Sequence, residues 1–388
     1  MSDRARVGII GGGIVGSSIA FNLANAGISD VVVIDRGPLP GWGSTGRAAG
    51  GFRHQFPHPA DIAFSRFAFE RFRRFEADTG VDPNLRMHGY LFLAQSQARL
   101  DQLRGIHQVQ RRAGLSEAVM LDRESVAELV PHVVVDDVLG ASFCPLDGFL
   151  DPLYIMHGYA RAARARGVRF RLGQEVERVV VTNGRVQKLQ GPGLDLEVEW
   201  AVVAAGAWSG RLLRQLGVEL HLAPVRRQIA GTHPLPQLPS DSPMTFDDDG
   251  FHFRKDHLGG GGANLIWEDP AEPESFNQEF DVAFGAVLRE RLVSRLKDPG
   301  EPLLSPRRSW AGLYAVTPDH HPYIGPLRDP AGIVLAAGFS GHGVMHSPAT
   351  GWSVAQMIAN QETPDLAAPY SPYRFERGSQ FPATGNIY

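Results

Sequence analysis

Three glycines near the start of the chain have the spacing of a phosphate-binding turn. Gly11, Gly13 and Gly16 form the pattern G-x-G-x-x-G. The first glycine permits a tight turn, the second lets a phosphate approach the backbone, and the third lets a helix pack on a strand. Asp35 lies nineteen residues after Gly16 and can accept hydrogen bonds from two ribose hydroxyls. These residues predict a site for the pyrophosphate and ribose of a dinucleotide.

The flanking sequence supplies the elements that such a site needs. Residues 7–10 predict a strand, residues 14–27 a helix, and residues 31–34 a second strand that ends at Asp35. The first amides of the helix would face the pyrophosphate, where the helix dipole favours negative charge. The motif does not separate NAD from FAD, so the rest of the chain must decide between them.

Three later segments add glycine-rich turns. In residues 41–56, Ser44 and Thr45 offer hydroxyls and amides for a second contact with the pyrophosphate. Residues 201–204 predict a buried strand ending near Gly206. Residues 333–336 predict a strand followed by a glycine loop and a helix that begins at Ser347-Pro348.

The predicted fold class is α/β, α+β overall. A doubly wound, Rossmann-like dinucleotide-binding domain is interleaved with an antiparallel-sheet substrate domain, because hairpin turns and period-2 alternation concentrate in two intervening segments. The last residues lack periodicity and predict an extended tail on the surface. The predicted boundaries are 1–81, 143–215 and 323–361 for the first domain, 82–142 and 216–322 for the second, and 362–388 for the tail.

Composition excludes several classes of protein. A net charge of −4 gives no general attraction to nucleic acid, and the short basic run at 64–75 fits an amphipathic helix with its phenylalanines in the core better than a nucleic-acid patch. No apolar run reaches the ~18 residues of a membrane span. The start "MSDRAR" leaves no room for a signal peptide, and Cys144 is the only cysteine. We therefore expect a cytoplasmic protein without a metal site.

Five segments together resemble the FAD-dependent D-amino-acid oxidase superfamily, and within it the branch of sarcosine, glycine and proline oxidases and dehydrogenases. They are "GGGIVGSSIAFNLA", "GSTGRAAGGFRHQF", "VVAAGAWS", "GLYAVTPDHHPYIG" and "AAGFSGHGVMHSPATG", in this order along the chain. The likeness covers nearly the whole sequence. It implies that the dinucleotide is FAD.

The resemblance also implies contacts for FAD. The amides of the last glycine loop would face the N1–C2=O edge of the flavin, and the backbone of Val176 would contact adenine. The glycine motif and the resemblance together predict cofactor contacts at Gly11, Gly13, Ile14, Val15, Gly16, Asp35, Arg36, Ser44, Thr45, Arg47, Val176, Ala205, Gly206, Gly341, His342, Gly343, Val344 and Met345.

The resemblance further implies that FAD is held noncovalently. Some relatives attach flavin through a cysteine or a histidine, and this chain has Gly312 and Arg47 at the two positions. Pro152 stands where some relatives carry a histidine for a second flavin. Cys144 is far from these motifs in sequence, and we expect an inert core residue there.

Four residues are predicted to act on the substrate. The resemblance implies that Arg53 binds the substrate carboxylate, which a planar guanidinium can do with two parallel hydrogen bonds, and that Tyr314 lines the pocket. Met345 and Asn264 stand where sarcosine oxidases carry lysines, the first beside the carboxylate and the second above the flavin ring. A structural role for Arg53 or Tyr314 remains the alternative.

The resemblance implies oxidation of a small amino acid or N-methylamino acid, in which hydride passes to flavin N5 and an imine forms. A neutral residue at Asn264 favours a dehydrogenase over an oxidase, with a quinone or a redox protein as electron acceptor. Two alternatives remain open. One is a 2-hydroxy acid or glycerol-phosphate dehydrogenase, and the other is a flavin-bearing subunit or assembly factor. The oligomeric state is also open.

Overall fold

The computed structural model describes residues 3–256, 260–378 and 381. Elements are numbered in chain order. The strands are β1 (Asp3–Ile10), β2 (Val31–Asp35), β3 (Gly51–Phe52), β4 (Tyr90–Ala94), β5 (Val119–Leu121), β6 (Gly140–Cys144), β7 (Gly148–Phe149), β8 (Arg169–Leu172), β9 (Arg178–Thr182), β10 (Arg185–Gly191), β11 (Leu194–Val203), β12 (Ala223–Gly231), β13 (Met244–Phe246), β14 (His252–Lys255), β15 (Ala263–Ile266), β16 (Trp310–Val316), β17 (Tyr323–Pro326) and β18 (Ile333–Ala337).

Helices cover the first sheet and flank the second. They are α1 (Ile14–Asn25), α2 (Pro59–Arg73), α3 (Phe75–Thr79), α4 (Gln97–Arg112), α5 (Arg123–Leu129), α6 (Pro152–Ala165), α7 (Ser209–Gln215), α8 (Val282–Arg295) and α9 (Gly343–Asn360). Short 3-10 helices occur at Ser44–Arg47, Gly206–Trp208, Pro306–Arg308, Ala368–Tyr370 and Phe375–Arg377. Within the described ranges, none of the helices is long and apolar enough to cross a membrane.

The first large sheet has the predicted doubly wound core. Its strand order is β17-β18-β11-β1-β2-β8, and β10 and β9 extend it from β11. Strands β18, β11, β1, β2 and β8 run parallel, while β17 is antiparallel to β18. Parallel strands carry their carboxyl ends to one edge of a sheet, so the glycine loops that follow β1, β11 and β18 meet there.

The predicted turn between β1 and α1 forms because three glycines leave no side chain in the way. A Cβ at Gly16 would overlap the carbonyl oxygen of Gly11, so this glycine lets α1 pack directly against the turn. Gly11 itself has a φ of +109°, which favours glycine over other residues. The strands beside the turn are buried, with Val7 and Ile9 at 0% exposure.

Helix α9 begins earlier than predicted. The sequence prediction of a start at Ser347-Pro348 was wrong, because Pro348 lies inside the helix, which begins at Gly343. Proline has no N–H to donate to the carbonyl four residues earlier. Here the Ser347 hydroxyl donates to that carbonyl, the oxygen of Val344, at 2.9 Å. The first turn of α9 therefore lies directly after the glycine loop at 338–343.

The second large sheet has the order β16-β12-β15-β14-β13-β4-β6-β5. It is antiparallel except for the parallel pair of β13 and β4, and the mixed fold predicted from the sequence is confirmed. Strands β14 and β15 form a hairpin around the predicted glycine-rich tip, of which Gly259 lies outside the described residues. Strand β6 crosses the predicted boundary at 142/143, and the domain boundaries stay a prediction.

The sequence predicts an extended tail after α9. The segment instead contains two 3-10 helices, and its buried side chains include Tyr370 and Arg374. The Tyr370 hydroxyl donates to Asp61 of α2 at 2.8 Å, and Arg374 pairs with Asp319 at 2.7 Å. Helix α2 is the predicted amphipathic helix, with Phe64 and Phe72 in the core.

Candidate active site

A cavity of about 500 Å³ lies between the two large sheets. Its volume is in the range of small-molecule and cofactor sites. At one end it is lined by the turn after β1, the end of β2 and residues 174–177. At the other end it is lined by residues of β12, β13, β15 and β16 of the second sheet. The cavity therefore joins the predicted dinucleotide site to the predicted substrate domain.

Most of the residues predicted from the sequence meet at this cavity. Two do not line it: Gly16, which packs α1 against the turn, and Asn264. The predicted residues that line it are Gly11, Gly13, Ile14, Val15, Asp35, Arg36, Ser44, Thr45, Arg47, Arg53, Val176, Ala205, Gly206, Tyr314, Gly341, His342, Gly343, Val344 and Met345.

The glycine loops leave room for a ligand to approach the backbone. A Cβ added at Gly43 or Gly206 would meet nothing within 4 Å, so both backbones border open space in the cavity. At Gly13 an added Cβ would meet only the Thr45 hydroxyl, at 3.1 Å. These residues fit a dinucleotide whose phosphates bind to backbone amides.

The polar residues of the loops also hold the loops together. Asp35 accepts the amides of Gly12 at 2.6 Å and Gly37 at 2.7 Å. The Thr45 hydroxyl accepts the amide of Ile14 at 3.0 Å, and the Ser44 hydroxyl donates to the Leu313 carbonyl at 2.7 Å. The Ser44 hydroxyl therefore donates within the protein, whereas the Thr45 hydroxyl accepts and keeps its own hydrogen for a phosphate. The pyrophosphate contacts of both residues stay predictions.

Arg36 and Trp208 flank the end of the cavity that is formed by β2. The Arg36 guanidinium lies 3.8 Å from the centroid of the Trp208 ring, and Val176 lines the same end. An aromatic ring and a planar cation provide flat surfaces beside the predicted adenine contact. The sequence analysis missed Trp208, although it lies only two residues after the predicted Ala205-Gly206 turn.

The opposite end of the dinucleotide site is the first turn of α9. His342 is the residue before this helix, and Gly343, Val344 and Met345 form its first turn and line the cavity. The amides of a helix N-terminus have no partner within the helix, and the dipole there favours negative charge. This arrangement suits the N1–C2=O edge of a flavin, which becomes negative on reduction.

Arg53 is a buried cation in the cavity wall. Its exposure is 3%, and its guanidinium carbon lies 4.5 Å from the centroid of Phe56. Nη2 donates to Nε2 of His342 at 3.2 Å. Burial lowers the pKa of Arg53, against the charge of Asp147, but a guanidinium keeps its proton in proteins at neutral pH. A carboxylate in the cavity would therefore meet a fixed, desolvated positive charge.

Asp147 fixes the chain beside Arg53. One of its oxygens accepts the backbone amide of His54 at 2.5 Å and lies 3.0 Å from His54 Nδ1, and the other accepts Gln55 Nε2 at 2.9 Å. His54, Asp147 and Cys144 have ligand-type atoms within 4.8 Å of one another. Burial raises the pKa of the Cys144 thiol, which keeps the thiol protonated at neutral pH.

Tyr314 packs against the glycine loop before α9. A Cβ at Gly341 would lie 2.6 Å from the Tyr314 ring, so the ring approaches this backbone closely. Burial raises the pKa of the Tyr314 hydroxyl, which keeps the group neutral at physiological pH. Met345 also lines the cavity, with a thioether side chain.

The predicted placement of Asn264 on the cavity wall is not observed. Asn264 is 3% exposed and pairs in register with Arg254 of β14. Because side chains alternate along a strand, Asn264 shares a face with Ile266, which does line the cavity two residues farther on. Arg254, the strand partner of Asn264, does contact the cavity wall. Its Nη2 donates a hydrogen bond to the carbonyl of Ala49, which lines the cavity, at 2.6 Å.

Lys255 does not reach the cavity, because its Nζ donates to the carbonyls of Leu235 and Leu238, both at 2.8 Å. His257, which follows two residues after Lys255, lies outside the described residues.

The second sheet adds residues to the cavity that the sequence analysis did not identify. They are Tyr90, Arg227, Met244, Phe246, His252, Ile266 and Glu268. Burial lowers the pKa of His252 to about 4 and raises that of Tyr90. Both groups are therefore neutral at physiological pH, and this end of the cavity carries its charge on Arg53, Arg227 and Glu268.

Gly312 and Arg47 are neighbours. A Cβ at Gly312 would lie 3.0 Å from Cβ of Arg47, so the arginine stem fills the space beside this glycine. The arginine guanidinium donates to the carbonyl of Trp42 at 2.6 Å. Neither position offers a nucleophile to a flavin.

Comparison with known proteins identifies the family of the chain. A family model described as FAD dependent oxidoreductase matches residues 6–357. The chain is 30% identical over 405 residues to FAD-dependent oxidoreductase domain-containing protein 1 of Xenopus laevis, with 92% of this chain and 80% of that protein covered. It is 28% identical over 370 residues to glycine oxidase of Bacillus licheniformis, with 92% and 94% covered.

Among solved structures, L-proline dehydrogenase from P. horikoshii has a TM-score of 0.89 at 27% identity, with 98% of this chain and 100% of that chain covered. The cofactor is therefore FAD. The chain belongs to the FAD-dependent oxidoreductase family, in the sarcosine, glycine and proline branch of the D-amino-acid oxidase superfamily.

Proposed function

We propose that this protein oxidises a small amino acid or N-methylamino acid of the sarcosine, glycine or proline type. The observation that carries the proposal is the burial of Arg53 in the cavity wall with its guanidinium held by His342. A charge-assisted, bidentate hydrogen bond to a carboxylate is strongest where water is excluded. The names of two relatives, a glycine oxidase and an L-proline dehydrogenase, support the same substrate class.

Bound FAD would supply a hydride acceptor for a carbon next to the substrate nitrogen. Loss of that hydride and of one N–H proton would leave the substrate as an imine in its protonated form. The protein binds and orients the substrate. Arg53 would fix the carboxylate, while Tyr90, Phe246 and Ile266 form an apolar wall that excludes water from the substrate. Noncovalent binding of FAD is supported by the contact of Arg47 with Gly312.

We further propose that a quinone or a redox protein, rather than oxygen, reoxidises the flavin. A compact cation such as a lysine ammonium beside the flavin ring speeds the reduction of oxygen, because it stabilises the superoxide that forms there. The Arg53 guanidinium also lines the cavity, but we assign it to the substrate carboxylate. No lysine is among the described residues that line the cavity. Asn264 is neutral, and Lys255 is bonded to carbonyl groups elsewhere.

Anaerobic mixing of the FAD-loaded protein with single substrates tests the proposal. Sarcosine, glycine or proline should bleach the flavin absorbance. A 2-hydroxy acid presents the same carboxylate to Arg53 and is the competing class, so bleaching by 2-hydroxyglutarate alone would reject the proposal. If dithionite bleaches the flavin but no small acid does, a role as a flavin-bearing subunit or assembly factor replaces it.

A further inference from the structure

Two consecutive arginines of β12 form ion pairs on opposite faces of the second sheet. Arg226 binds Glu272 with two hydrogen bonds, of 2.9 Å and 3.0 Å, and neither residue lines the cavity. Arg227 binds Glu268 with one hydrogen bond, from Nη2 to Oε2 at 3.0 Å, and both residues line the cavity. The Arg226–Glu272 pair therefore lies away from the cavity with both carboxylate oxygens bonded. The Arg227–Glu268 pair faces the space where a ligand would bind.

The Glu268 carboxylate is fixed but not saturated. Arg227 occupies one of its oxygens, and the described part of the chain gives its other oxygen no hydrogen-bond partner. Arg227 is held in turn by the carbonyl of Arg226 at 3.2 Å. An ionised carboxylate has about four lone-pair sites, so Glu268 retains the capacity to accept hydrogen bonds from a ligand.

Glu268 lies close to the groups already assigned to the substrate. Its charge is among those that act on the pKa values of Arg53 and Tyr314. The Arg227 guanidinium is 5.6 Å from the centroid of the Tyr314 ring. Arg53 comes from the segment after β3 and Glu268 from the segment after β15, so the cavity presents a cation and an anion from separate parts of the fold.

We propose that Glu268 binds the ammonium group of the substrate while Arg53 binds its carboxylate, so that the enzyme selects zwitterionic amino acids bearing at least one N–H. This inference rests on the proposed function and names the ionic form of its substrate. A 2-hydroxy acid would place a neutral hydroxyl at Glu268 and lose the charge-assisted hydrogen bond. Glu268 is then the residue that discriminates between the two substrate classes.

A matched pair of ligands tests this inference. α-Aminoisobutyrate and α-hydroxyisobutyrate have nearly the same shape, and neither carries a hydrogen on the α-carbon, so the flavin cannot oxidise them there. Their dissociation constants are measured from the change in flavin absorbance of the FAD-loaded protein. A hydrogen bond to a charged group predicts that the wild type binds the amino compound roughly 10- to 100-fold more tightly.

Glu268→Gln should remove this preference by weakening binding of the amino compound alone. Glu272→Gln is the matched control, because it breaks an Arg–Glu pair on the other face of the same strand, and it should keep the preference. Equal affinities in the wild type would overturn the inference even if Glu268→Gln did not fold. The inference would also be overturned if Glu268→Gln still bound the amino compound more tightly than the hydroxy compound. The same holds if the substitution weakened binding of both compounds equally.

Failure of the proposed function is distinguishable from failure of this inference. If sarcosine, glycine and proline all leave the wild-type flavin oxidised, the proposed function falls, and the inference falls with it. If one of them bleaches the wild-type flavin but Glu268→Gln keeps the ligand preference, only the assignment of Glu268 falls.

Discussion

Arg53 donates a hydrogen bond to His342, with Nη2 3.2 Å from Nε2. A guanidinium has donors only, so Nε2 of His342 must be the acceptor, and the ring carries its proton on Nδ1. Burial and the charge of Arg53 lower the pKa of His342 well below its usual value, which keeps the ring neutral. The contact links the predicted carboxylate-binding residue to the residue before α9, where the flavin edge is expected.

Arg53→Met should raise the substrate KM strongly and leave FAD bound. Loss of a desolvated, bidentate partner costs on the order of 2–5 kcal/mol of binding free energy. Steady-state kinetics with a dye acceptor measures KM, and flavin absorbance after gel filtration measures FAD. Arg36→Met is the crossed control at the other end of the cavity. It should weaken FAD binding and leave KM unchanged when FAD is saturating.

An unchanged KM in Arg53→Met, or loss of FAD from it, would assign Arg53 to the protein scaffold or to the cofactor. An altered KM in Arg36→Met at saturating FAD would show that the two ends of the cavity do not act separately.

Denaturation should release intact FAD. Arg47 packs against Gly312, and neither residue can form a bond to the flavin ring. We expect heat or acid to leave a yellow supernatant whose flavin is identified as FAD by mass spectrometry. Flavin that stays with the precipitated protein would contradict noncovalent binding.

Reduced enzyme should reoxidise slowly in air and quickly with a quinone. The cavity wall lacks a lysine among the described residues, so no compact cation is available to stabilise superoxide there. Stopped-flow mixing of reduced protein with aerated buffer measures the rate. Fast reoxidation in air would contradict the prediction. Arg254 is a buried cation bonded to the carbonyl of Ala49, so if Arg254→Gln slowed that reaction, Arg254 would be the residue that stabilises superoxide.

The folded protein should lose stability as the pH falls from about 6.5 to about 4. Burial lowers the pKa of His346 to about 4, whereas an unfolded histidine titrates near 6.5. The unfolded chain therefore binds this proton first, and the stability present above pH 6.5 is lost through the window. One such group changes the unfolding free energy by up to about 1.4 kcal/mol per pH unit.

His346→Gln tests the assignment, since it removes the titrating ring near Ser65, whose hydroxyl lies 3.0 Å from Nε2. The unfolding free energy is measured by urea denaturation at several pH values between 5 and 6. Its slope against pH should be smaller in the variant by the equivalent of about one proton. An equal slope in wild type and variant would show that His346 titrates normally in the folded state.

The glycine turns could be predicted from the sequence because their function depends on the backbone. Gly11 and Gly13 mark a close approach whatever surrounds them, and nearly all of the predicted cofactor residues line one cavity. The helix start was wrong because Ser347-Pro348 is a strong N-terminal signal. The sequence does not show that the Ser347 hydroxyl replaces the lost backbone hydrogen bond to Val344.

The substrate end was harder to predict. Alternation along β12 and β15 shows that Arg227 and Glu268 can share one side of a sheet, but it does not show whether that side meets solvent or a cavity. Asn264 and Ile266 lie on the same face of β15, but only Ile266 lines the cavity, because Asn264 is nearer to the hairpin. Alternation alone cannot distinguish the two positions. These distinctions depend on packing of the two sheets.

The most direct test of the central claim is single-turnover flavin reduction by an amino acid deuterated at every carbon bound to its nitrogen. FAD-loaded protein is mixed anaerobically with the protiated or the deuterated form of whichever of sarcosine, glycine or proline bleaches it. If hydride leaves a carbon next to the nitrogen of a substrate held by Arg53, the deuterated form should bleach the flavin several-fold more slowly at saturation, and Arg53→Met should need far more substrate for the same rate. Equal bleaching rates for the two isotopic forms, or no bleaching by any of the three amino acids, would contradict this account.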